Sequence, residues 1–363
     1  WPWDQGYPYL YQANITAISD NEVSDVYSVK FGIREVHADI QKGQWTWFIN
    51  GRKFFPRGNN YISNYFLINS NRDWLRHDLE LAKEANMDML RVHAHVEPLT
   101  FYDLADEMGI LIMQDFPLHW TYADNSYVNA TARTQLKRMI TLLFNHPSIV
   151  LWAMHNEPPW NSAWMGQANW NRVNYNLDHQ LQSIAEVLDK TRPSIVASGY
   201  EDEHSYWGWY VGNWLEYKRD TYGFPTEIGA QALPNITSPF WTEEIQITSW
   251  PIDPSDERLL YRDYQPSWTQ NYLGPLSNYP DLETYIRVSQ GYQSAILKLA
   301  IEMSRIRKYS PTGGCVIFHF ADCHPAITNS IVDYYRMPKL AYYTVKNAFN
   351  PVHVCIDWRG TYG

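Results

Sequence analysis

Two glutamates each close an apolar run of the kind that forms a buried strand. Glu157 ends the run that starts at Ile149, and Glu227 ends the run that starts at Phe224. Hydrolysis of a glycosidic bond needs two carboxyl groups beside that bond, one protonated and one ionised, and in the retaining reaction they lie about 5–5.5 Å apart. We expect apolar surroundings and repulsion from the second carboxylate to raise the pKa of whichever glutamate acts as the acid. Glu157 and Glu227 are therefore the predicted catalytic pair, one the general acid/base and the other the nucleophile.

Polar side chains also follow the other apolar runs of the chain. A strand that simply ends needs only turn residues, whereas the catalytic groups of a barrel collect at the carboxyl ends of its strands. This pattern indicates one shared site. Its candidate substrate-binding residues are Arg57, Asn60, Arg91, His93, Asp115, His155 and Asn156, and His95, His319 and Asp322 follow the same pattern.

The two arginines of this set each have two interpretations. Arginine stays charged and forks onto carboxylates, so either Arg57 or Arg91 can keep Glu227 ionised if it lies at a strand end near the nucleophile. A buried structural ion pair is the alternative for each. Asp115 either contacts a sugar hydroxyl or supports its neighbours. The sequence leaves these alternatives open.

The pair His93 and His95 raises the question of a metal. Two histidines that are two residues apart on a strand share a face and can hold a metal ion, as in a metal-dependent amidohydrolase barrel. Such a centre needs further ligands on later strands, and the fourth strand offers Asn156 and Glu157 rather than a bridging lysine. We therefore predict no metal and no cofactor. His93 and His155 are expected to hydrogen-bond sugar hydroxyls or to orient the carboxylates.

The elements that must position these groups alternate between strand and helix. Predicted strands lie near residues 55, 90, 112, 151, 196, 209, 226 and 317. Predicted helices cover residues 71–86, 101–108, 132–144, 177–188 and 285–307. Repeated βα units imply a parallel sheet, and eight strands that close on themselves give an α/β fold, the (β/α)8 TIM barrel. The fourth and seventh strands then carry the two glutamates to the same end of the barrel.

Residues 1–36 differ from the rest of the chain in their predicted secondary structure, which contains strands but no helix. They contain two strand-like runs joined by a turn at Asp20-Asn21. Two or three strands cannot hide a hydrophobic face alone, so this segment is predicted to be the C-terminal part of a β-sandwich. Residues 37–363 are assigned to the barrel. Because the chain starts at Trp1 rather than Met, we expect upstream domains of the same polypeptide to be missing.

Composition limits the possible partners. The formal net charge is -10, and no Lys/Arg cluster opposes it, which argues against nucleic acid. No apolar run reaches membrane-spanning length, so no membrane partner is expected. Aromatic residues make up 16% of the chain, with 17 Trp and 27 Tyr, and such rings stack on the C–H faces of sugars. The three cysteines match no zinc spacing, and the sequons at Asn14, Asn129 and Asn235 leave localisation open between secreted and cytoplasmic.

Two aromatic-rich connections follow the two glutamates. They cover about residues 158–170, with Trp160, Trp164 and Trp170, and about residues 233–278, with Trp241, Trp250 and Trp268. Long ordered loops in compact domains are usually functional, so these segments are expected to wall the pocket. Trp207 is the predicted platform for a sugar ring.

The segment NHPSIVLWAMHNEP at residues 145–158 resembles the acid/base signature of glycoside hydrolase family 2. That family includes β-galactosidases, β-glucuronidases, β-mannosidases and exo-β-glucosaminidases. The resemblance implies that Glu157 is the acid/base and that Asn156 bonds the sugar 2-hydroxyl. The segment TEIGAQ at residues 226–231 is similar to the nucleophile segment of the family, with Ile228 in place of an aromatic residue, and this implies that Glu227 is the nucleophile.

The resemblance extends over nearly the whole chain. Residues 1–11 and 31–34 resemble the end of the family's immunoglobulin-like domain, and residues 55–60 resemble the entry to its barrel. Residues 111–116, 322–326 and 333–339 are most similar to the β-mannosidase branch. The chain departs from that branch at Tyr61, Phe318 and His324, where the branch often has Trp, and the segment around His93 leans toward other members.

These observations predict a retaining β-glycoside hydrolase that cleaves a terminal β-linked sugar by double displacement. A β-mannosidase-like specificity is the leading hypothesis, and a β-galactosidase-like or exo-β-glucosaminidase-like specificity is the alternative. A non-catalytic carbohydrate-binding fragment is a hypothesis of a different class, because missing upstream domains can leave a pocket incomplete. Under each hypothesis the partner is a carbohydrate.

Overall fold

The computed structural model describes residues 1–41, 43–66, 70–161, 172–247 and 249–357. Strands β1 (Tyr11–Ser19) and β2 (Glu22–Phe31) form an antiparallel hairpin. Its two turn residues, Asp20 and Asn21, have φ angles of 53° and 64°, as a two-residue hairpin turn requires. Most of the hairpin side chains are exposed. The assignment of residues 1–36 to a β-sandwich stays a prediction.

A small antiparallel sheet closes the amino end of the barrel. It consists of β3 (Val36–Gln41), β4 (Gln44–Ile49) and β5 (Arg52–Phe54). Trp45 and Trp47 alternate along β4, so both indoles point to the same face, and both are fully buried against Phe224. Removing an indole from such a position costs about 3–5 kcal/mol of stability. These two buried indoles therefore anchor the small sheet to the amino end of the barrel.

Eight short parallel strands form the barrel. They are β6 (Arg57–Tyr61), β7 (Met89–Val92), β8 (Leu111–Asp115), β9 (Ile149–Ala153), β10 (Ser194–Ile195), β11 (Glu203–His204), β12 (Pro225–Glu227) and β13 (Cys315–Ile317). One hydrogen-bonded sheet has the order β10-β9-β8-β7-β6-β13, and β11 pairs with β12. The Phe318 N–H donates to the Ile228 carbonyl at 2.8 Å just beyond the last two strands. The predicted (β/α)8 barrel is confirmed.

Helices follow the strands and cover the barrel wall. They are α1 (Arg72–Glu84), α2 (Leu99–Met108), α3 (Ser126–Leu143), α4 (Tyr175–Leu188), α5 (Glu257–Tyr261), α6 (Pro266–Leu273), α7 (Leu282–Ile306) and α8 (Leu340–Ala348). Local sequence sets their ends: Asn71 caps α1 through the Trp74 N–H, and Gly109 ends α2 at φ 71°. Within the described ranges, no helix has both the length and the apolar character needed to cross a membrane.

Two predicted strands lie at the wrong residues. The first barrel strand begins at Arg57, because Phe54 belongs to the basal sheet and pairs with Trp47. The sixth strand is β11, upstream of the predicted segment at 207–210. That segment forms a turn in which the Gly208 N–H donates to the Val211 carbonyl at 2.8 Å, and Gly208 has a φ of 82°. Aromatic residues that pack a turn were thus mistaken for a strand.

Candidate active site

The two predicted catalytic glutamates meet at the carboxyl end of the barrel. Glu157 follows β9 and Glu227 is the last residue of β12, and both are buried. One carboxylate oxygen of each, together with a ring nitrogen of His204, lie within 4.8 Å of one another. Residues 70 apart (227 − 157) are therefore brought into one cluster because parallel strands end at the same side of a barrel.

Glu227 is held by donors on both of its oxygens. Arg91 donates to Oε1 at 2.6 Å, and the Tyr206 hydroxyl donates to Oε2 at 2.7 Å. His93 Nε2 lies 3.6 Å from Oε1. Burial and the neighbouring Glu157 raise the pKa of Glu227, while His204 and Arg91 oppose that rise. The donors fix the orientation of the carboxylate toward the pocket.

Arg91 is the hub of the layer beneath the pocket. All five of its N–H groups have an acceptor: two donate to Asp115, at 3.2 and 2.8 Å, and one each to Glu227, Asn60 and Asn156, at 2.6, 3.1 and 2.5 Å. The arginine is fully buried. Arg91 thus forms a buried ion pair with Asp115 and also contacts Glu227, and its role in keeping Glu227 ionised stays a prediction. Asp115 acts as support, since it also accepts the Ala94 N–H at 3.1 Å.

Glu157 has a different set of partners. His204 Nδ1 lies 2.8 Å from Oε1, and the indole N–H of Trp120 donates to Oε2 at 3.1 Å. Burial alone raises the pKa of Glu157, but His204 and Trp120 outweigh it and lower the pKa. This direction is opposite to the sequence expectation, because a buried histidine beside the acid was not anticipated. The backbone of Glu157 has a φ of 50°, uncommon for a residue with a side chain.

His204 joins the two carboxylates. Its Nε2 lies 3.4 Å from Glu227 and 3.0 Å from the Ser198 hydroxyl, while its Nδ1 contacts Glu157. Burial lowers the pKa of His204, but the two glutamates outweigh this and raise it. The opposite directions of the two pKa shifts favour an ion pair between His204 and Glu157, whose contacting atoms lie 2.8 Å apart.

The pocket wall consists of neutral rings. His93 lies edge-on to His119 and to Phe318, each with a centroid distance of 5.3 Å. Burial and the nearby Arg91 lower the pKa of His93 well below its ordinary value. Burial also lowers the pKa of His119, to about 4, and its Nδ1 lies 2.8 Å from the Asn156 amide. These lowered pKa values favour uncharged rings at neutral pH, and the rings present apolar edges and single polar atoms to the pocket.

Two predicted site residues lie elsewhere. Arg57 starts β6 at the amino end of the barrel, where it bonds Asp88 and Asp4, so its expected place beside the nucleophile is wrong. His155 is fully buried and its Nδ1 lies 2.9 Å from Asp178 of α4, so it faces the helix layer. The alternation of side chains along an extended segment explains this, because the neighbours of His155 face the pocket.

Trp207 and Asn60 have structural contacts in place of the expected sugar contacts. The Trp207 indole bonds the Tyr222 hydroxyl, and its ring packs over Gly212. The Asn60 amide donates to the carbonyls of Thr226 and Ile317, at 2.7 and 2.9 Å, while its oxygen accepts from Arg91. Trp207 is thus a loop-packing residue, and Asn60 ties three strands to the arginine hub.

The two aromatic connections mostly pack on themselves. The Trp160 N–H donates to Asp178, and Trp164 and Trp170 lie outside the described residues. Trp241 and Trp250 belong to a separate hydrophobic cluster of the second connection. Trp268 lies at a centroid distance of 5.7 Å from Tyr210, which itself packs on Tyr206. Trp268 therefore links the second connection to Tyr206, as does Gln265, whose side-chain amide donates to the Tyr210 hydroxyl at 2.9 Å.

The geometry separates the two histidines proposed as metal ligands. His93 faces Glu227, whereas His95 Nε2 bonds Glu97 and its Nδ1 lies 3.0 Å from the His93 carbonyl. Among the described residues, two triads bring ligand atoms together: Glu157, His204 and Glu227, and Asp103, Asp106 and His146. In the first triad Glu227 accepts a hydrogen bond from Arg91, and both glutamates raise the pKa of His204. Positive charge of the kind that a metal cation would supply is therefore already present.

Four residues of the site were missed: His119, Trp120, His204 and Tyr206. The misplaced sixth strand hid the last two. His204 ends β11, and Tyr206 follows two residues later on the same side. Placing the strand at 203–204 and reading its carboxyl end would have found both residues, whereas His119 and Trp120 lie in a loop whose course no periodicity predicts.

Comparison with protein families identifies the family of this chain. A model described as "Glycosyl hydrolases family 2, TIM barrel domain" matches residues 40–354. The chain belongs to glycoside hydrolase family 2. A second model, described as "Glycosyl hydrolases family 2", matches residues 2–34.

Individual relatives agree with the family. Beta-mannosidase B of Aspergillus clavatus is 26% identical over 405 residues, covering 100% of this chain and 48% of the relative. A putative beta-glucuronidase of Formosa agariphila is 23% identical and covers 81% of this chain and 37% of the relative. The crystal structure of a beta-D-mannosidase from Dictyoglomus thermophilum has a TM-score of 0.83 at 29% identity, covering 95% of this chain and 45% of that one. The chain spans about half the length of the curated relatives it matches.

Proposed function

We propose that this chain carries the catalytic centre of a retaining β-glycoside hydrolase, with Glu157 as acid/base and Glu227 as nucleophile. The observation that carries the proposal is the approach of the two carboxylates, within 4.8 Å of one another at the barrel mouth. Direct attack by a carboxylate needs a separation of about 5–5.5 Å, whereas inversion needs about 6.5–9.5 Å to admit a water. The arrangement therefore favours retention.

In the first step, Glu227 attacks the anomeric carbon and the bond from that carbon to the glycosidic oxygen breaks. Glu157 gives its proton to the leaving oxygen, and His204, whose Nδ1 lies 2.8 Å from Oε1, stabilises the carboxylate that Glu157 becomes. Arg91 and Tyr206 keep Glu227 oriented for attack. The product of this step is a covalent glycosyl ester on Glu227.

In the second step, water takes the place of the departed group. Esterification has removed the negative charge of Glu227, so Glu157 no longer faces a carboxylate and acts as a base toward the water. The water oxygen bonds to the anomeric carbon, the ester bond breaks, and the proton of the water goes to Glu157. Two inversions at one carbon retain the β configuration.

We infer that the sugar is a terminal β-mannoside. The support is the 29% identity and TM-score of 0.83 with a β-mannosidase structure, together with the β-mannosidase relatives at 26% identity. Of the three positions where that branch often has Trp, Tyr61 stacks on Phe101 and His324 on Tyr65, and Phe318 remains beside His93. Of these three positions, that of Phe318 is the one at the catalytic centre.

The test is hydrolysis of aryl β-mannosides, β-galactosides, β-glucosaminides and β-glucuronides by wild type, Glu157→Ala and Glu227→Ala, with and without azide. We expect wild type to prefer the mannoside. Azide should rescue Glu157→Ala with a β-mannosyl azide and Glu227→Ala with an α-azide, because azide replaces water in one case and the nucleophile in the other. Full activity in either variant would refute the assignment, and preference for another sugar would refute only the mannoside.

A further inference from the structure

Trp120 combines two properties that seldom occur together. Its indole N–H donates to Oε2 of the buried Glu157 at 3.1 Å, yet the residue is 54% exposed. Burial normally accompanies so large an apolar side chain, and a tryptophan that reaches from a catalytic carboxyl to solvent presents an open ring surface at that carboxyl.

The backbone holds Trp120 in this position. Its φ is 63°, and its N–H donates to the Asn156 carbonyl at 3.0 Å, so the loop after β8 is tied to the residue before the acid/base. Its ring packs on His119 at a centroid distance of 4.3 Å. A bulky residue at positive φ costs about 1–3 kcal/mol, and such strain occurs preferentially at functional sites.

The reaction fixes what must lie beside Glu157. The acid protonates the glycosidic oxygen, so that oxygen must come within about 2.6–3.2 Å of the carboxyl. The glycosidic oxygen belongs to the leaving group, and the leaving group must point out of the pocket to depart. Glu227 faces the buried side, with Arg91 and Tyr206. The exposed contact of Glu157 with Trp120 therefore marks the leaving-group side.

We propose that Trp120 forms the subsite for the leaving group: its indole face stacks on a sugar or aromatic ring of that group, and its N–H orients the carboxyl of Glu157 toward the glycosidic oxygen. This inference rests on the proposed role of Glu157. Both oxygens of Glu157 have partners in the free chain, His204 on Oε1 and Trp120 on Oε2. The glycosidic oxygen therefore shares Oε2 with the indole N–H when substrate binds.

Three leaving groups separate the two parts of the role. A disaccharide needs acid assistance and has a ring to stack, a methyl β-glycoside needs the acid but has no ring, and a β-glycosyl fluoride needs neither. Trp120→Phe keeps a ring but removes the N–H, and Trp120→Ala removes both. Tyr127→Ala is the matched control, because Tyr127 is a 78% exposed aromatic residue on the helix that follows the same loop.

For Trp120→Phe, kcat/KM should fall about 10- to 100-fold on the disaccharide and on the methyl glycoside, since a hydrogen bond to a catalytic carboxyl is lost. Trp120→Ala should lose a further 2- to 10-fold, roughly, on the disaccharide alone, through the missing stack. Both variants should hydrolyse the fluoride at the wild-type rate, which also reports correct folding. Tyr127→Ala should match wild type on all three.

Equal losses on all three substrates would overturn the proposal, because they indicate a merely structural role. Unchanged hydrolysis of the disaccharide would overturn it as well. These outcomes differ from failure of the proposed function, which appears as full disaccharide activity in Glu157→Ala and would overturn both proposals together.

Discussion

Replacing Arg91 by lysine tests whether Arg91 holds the carboxylate of Glu227 in position for attack. The five N–H groups of Arg91 are all used, and lysine offers three, so at least two hydrogen bonds are lost (5 − 3). Bonds to charged groups contribute about 1.5–3 kcal/mol each, so Arg91→Lys should lower the free energy of unfolding by about 3–6 kcal/mol. The positive charge is retained, so the loss comes from geometry.

The effect on catalysis should exceed the effect on substrate binding. Without the fork, Glu227 keeps only the Tyr206 hydroxyl as a close donor. We expect kcat on an activated aryl β-glycoside to fall about 100-fold or more, as when a single preorganised donor is removed from an active site. The acid limb of the kcat/KM profile should move to higher pH, because a nucleophile with fewer donors takes up its proton more readily.

Arg57→Lys provides the matched control. Arg57 is a second buried arginine with two carboxylate partners, Asp88 and Asp4, but it lies at the amino end of the barrel. Chemical denaturation should show both variants destabilised, and only Arg91→Lys should change kcat and the acid limb in the protein that remains folded. If Arg91→Lys kept the wild-type kcat and acid limb, the hub would be purely structural and the reasoning above would be refuted.

Two further predictions follow from the site. The pH profile of the wild-type kcat/KM should be bell-shaped. Its acid limb should lie above the ordinary glutamate pKa of 4.5, because the pKa of Glu227 is raised. Its alkaline limb should lie above the ordinary histidine pKa of 6.5, because the pKa of His204 is raised. His204→Gln should move the alkaline limb to lower pH, because Glu157 alone loses its proton at a lower pH than the Glu157–His204 pair does. An alkaline limb at the wild-type pH would contradict this. Gly229→Ala should cost about 1–3 kcal/mol of stability in thermal unfolding, because the new methyl group meets the Phe318 carbonyl. Gly291→Ala on α7, where nothing lies within 4 Å, should be neutral or stabilising, and equal losses in both variants would exclude the steric explanation.

The approach of the two glutamates to one another was predictable from the sequence. Glu157 and Glu227 each follow an apolar run, and the strand order of a barrel brings them together. Arg57 and Arg91 show the limit of the same argument. Both lie in barrel strands, but Arg57 is the first residue of its strand and Arg91 lies near the end of its own. If the predicted boundary of a strand is wrong by a few residues, a residue is assigned to the wrong end of the barrel.

The pocket walls were predictable only in part, since tertiary contacts determine them. Strand β6 has the sequence RGNNY, which no hydrophobic pattern marks as a strand, yet all five residues are buried. The side-chain amide of Asn60 is satisfied by other strands and by Arg91, partners that are distant in sequence. Trp120 and His119 have no signal of their own, because their role depends on where the loop after β8 meets Glu157.

Glu157 adopts a left-handed backbone conformation that favours glycine, although its side chain is the one that the proposed reaction needs. At a φ of 50° a residue with a side chain carries about 1–2 kcal/mol that glycine would not. Replacing Glu157 by glycine should therefore raise the melting temperature relative to Glu157→Ala while leaving both variants without their acid/base. If Glu157 is the acid/base, as proposed, the backbone at this position lowers stability in order to place a carboxyl group where the reaction needs it.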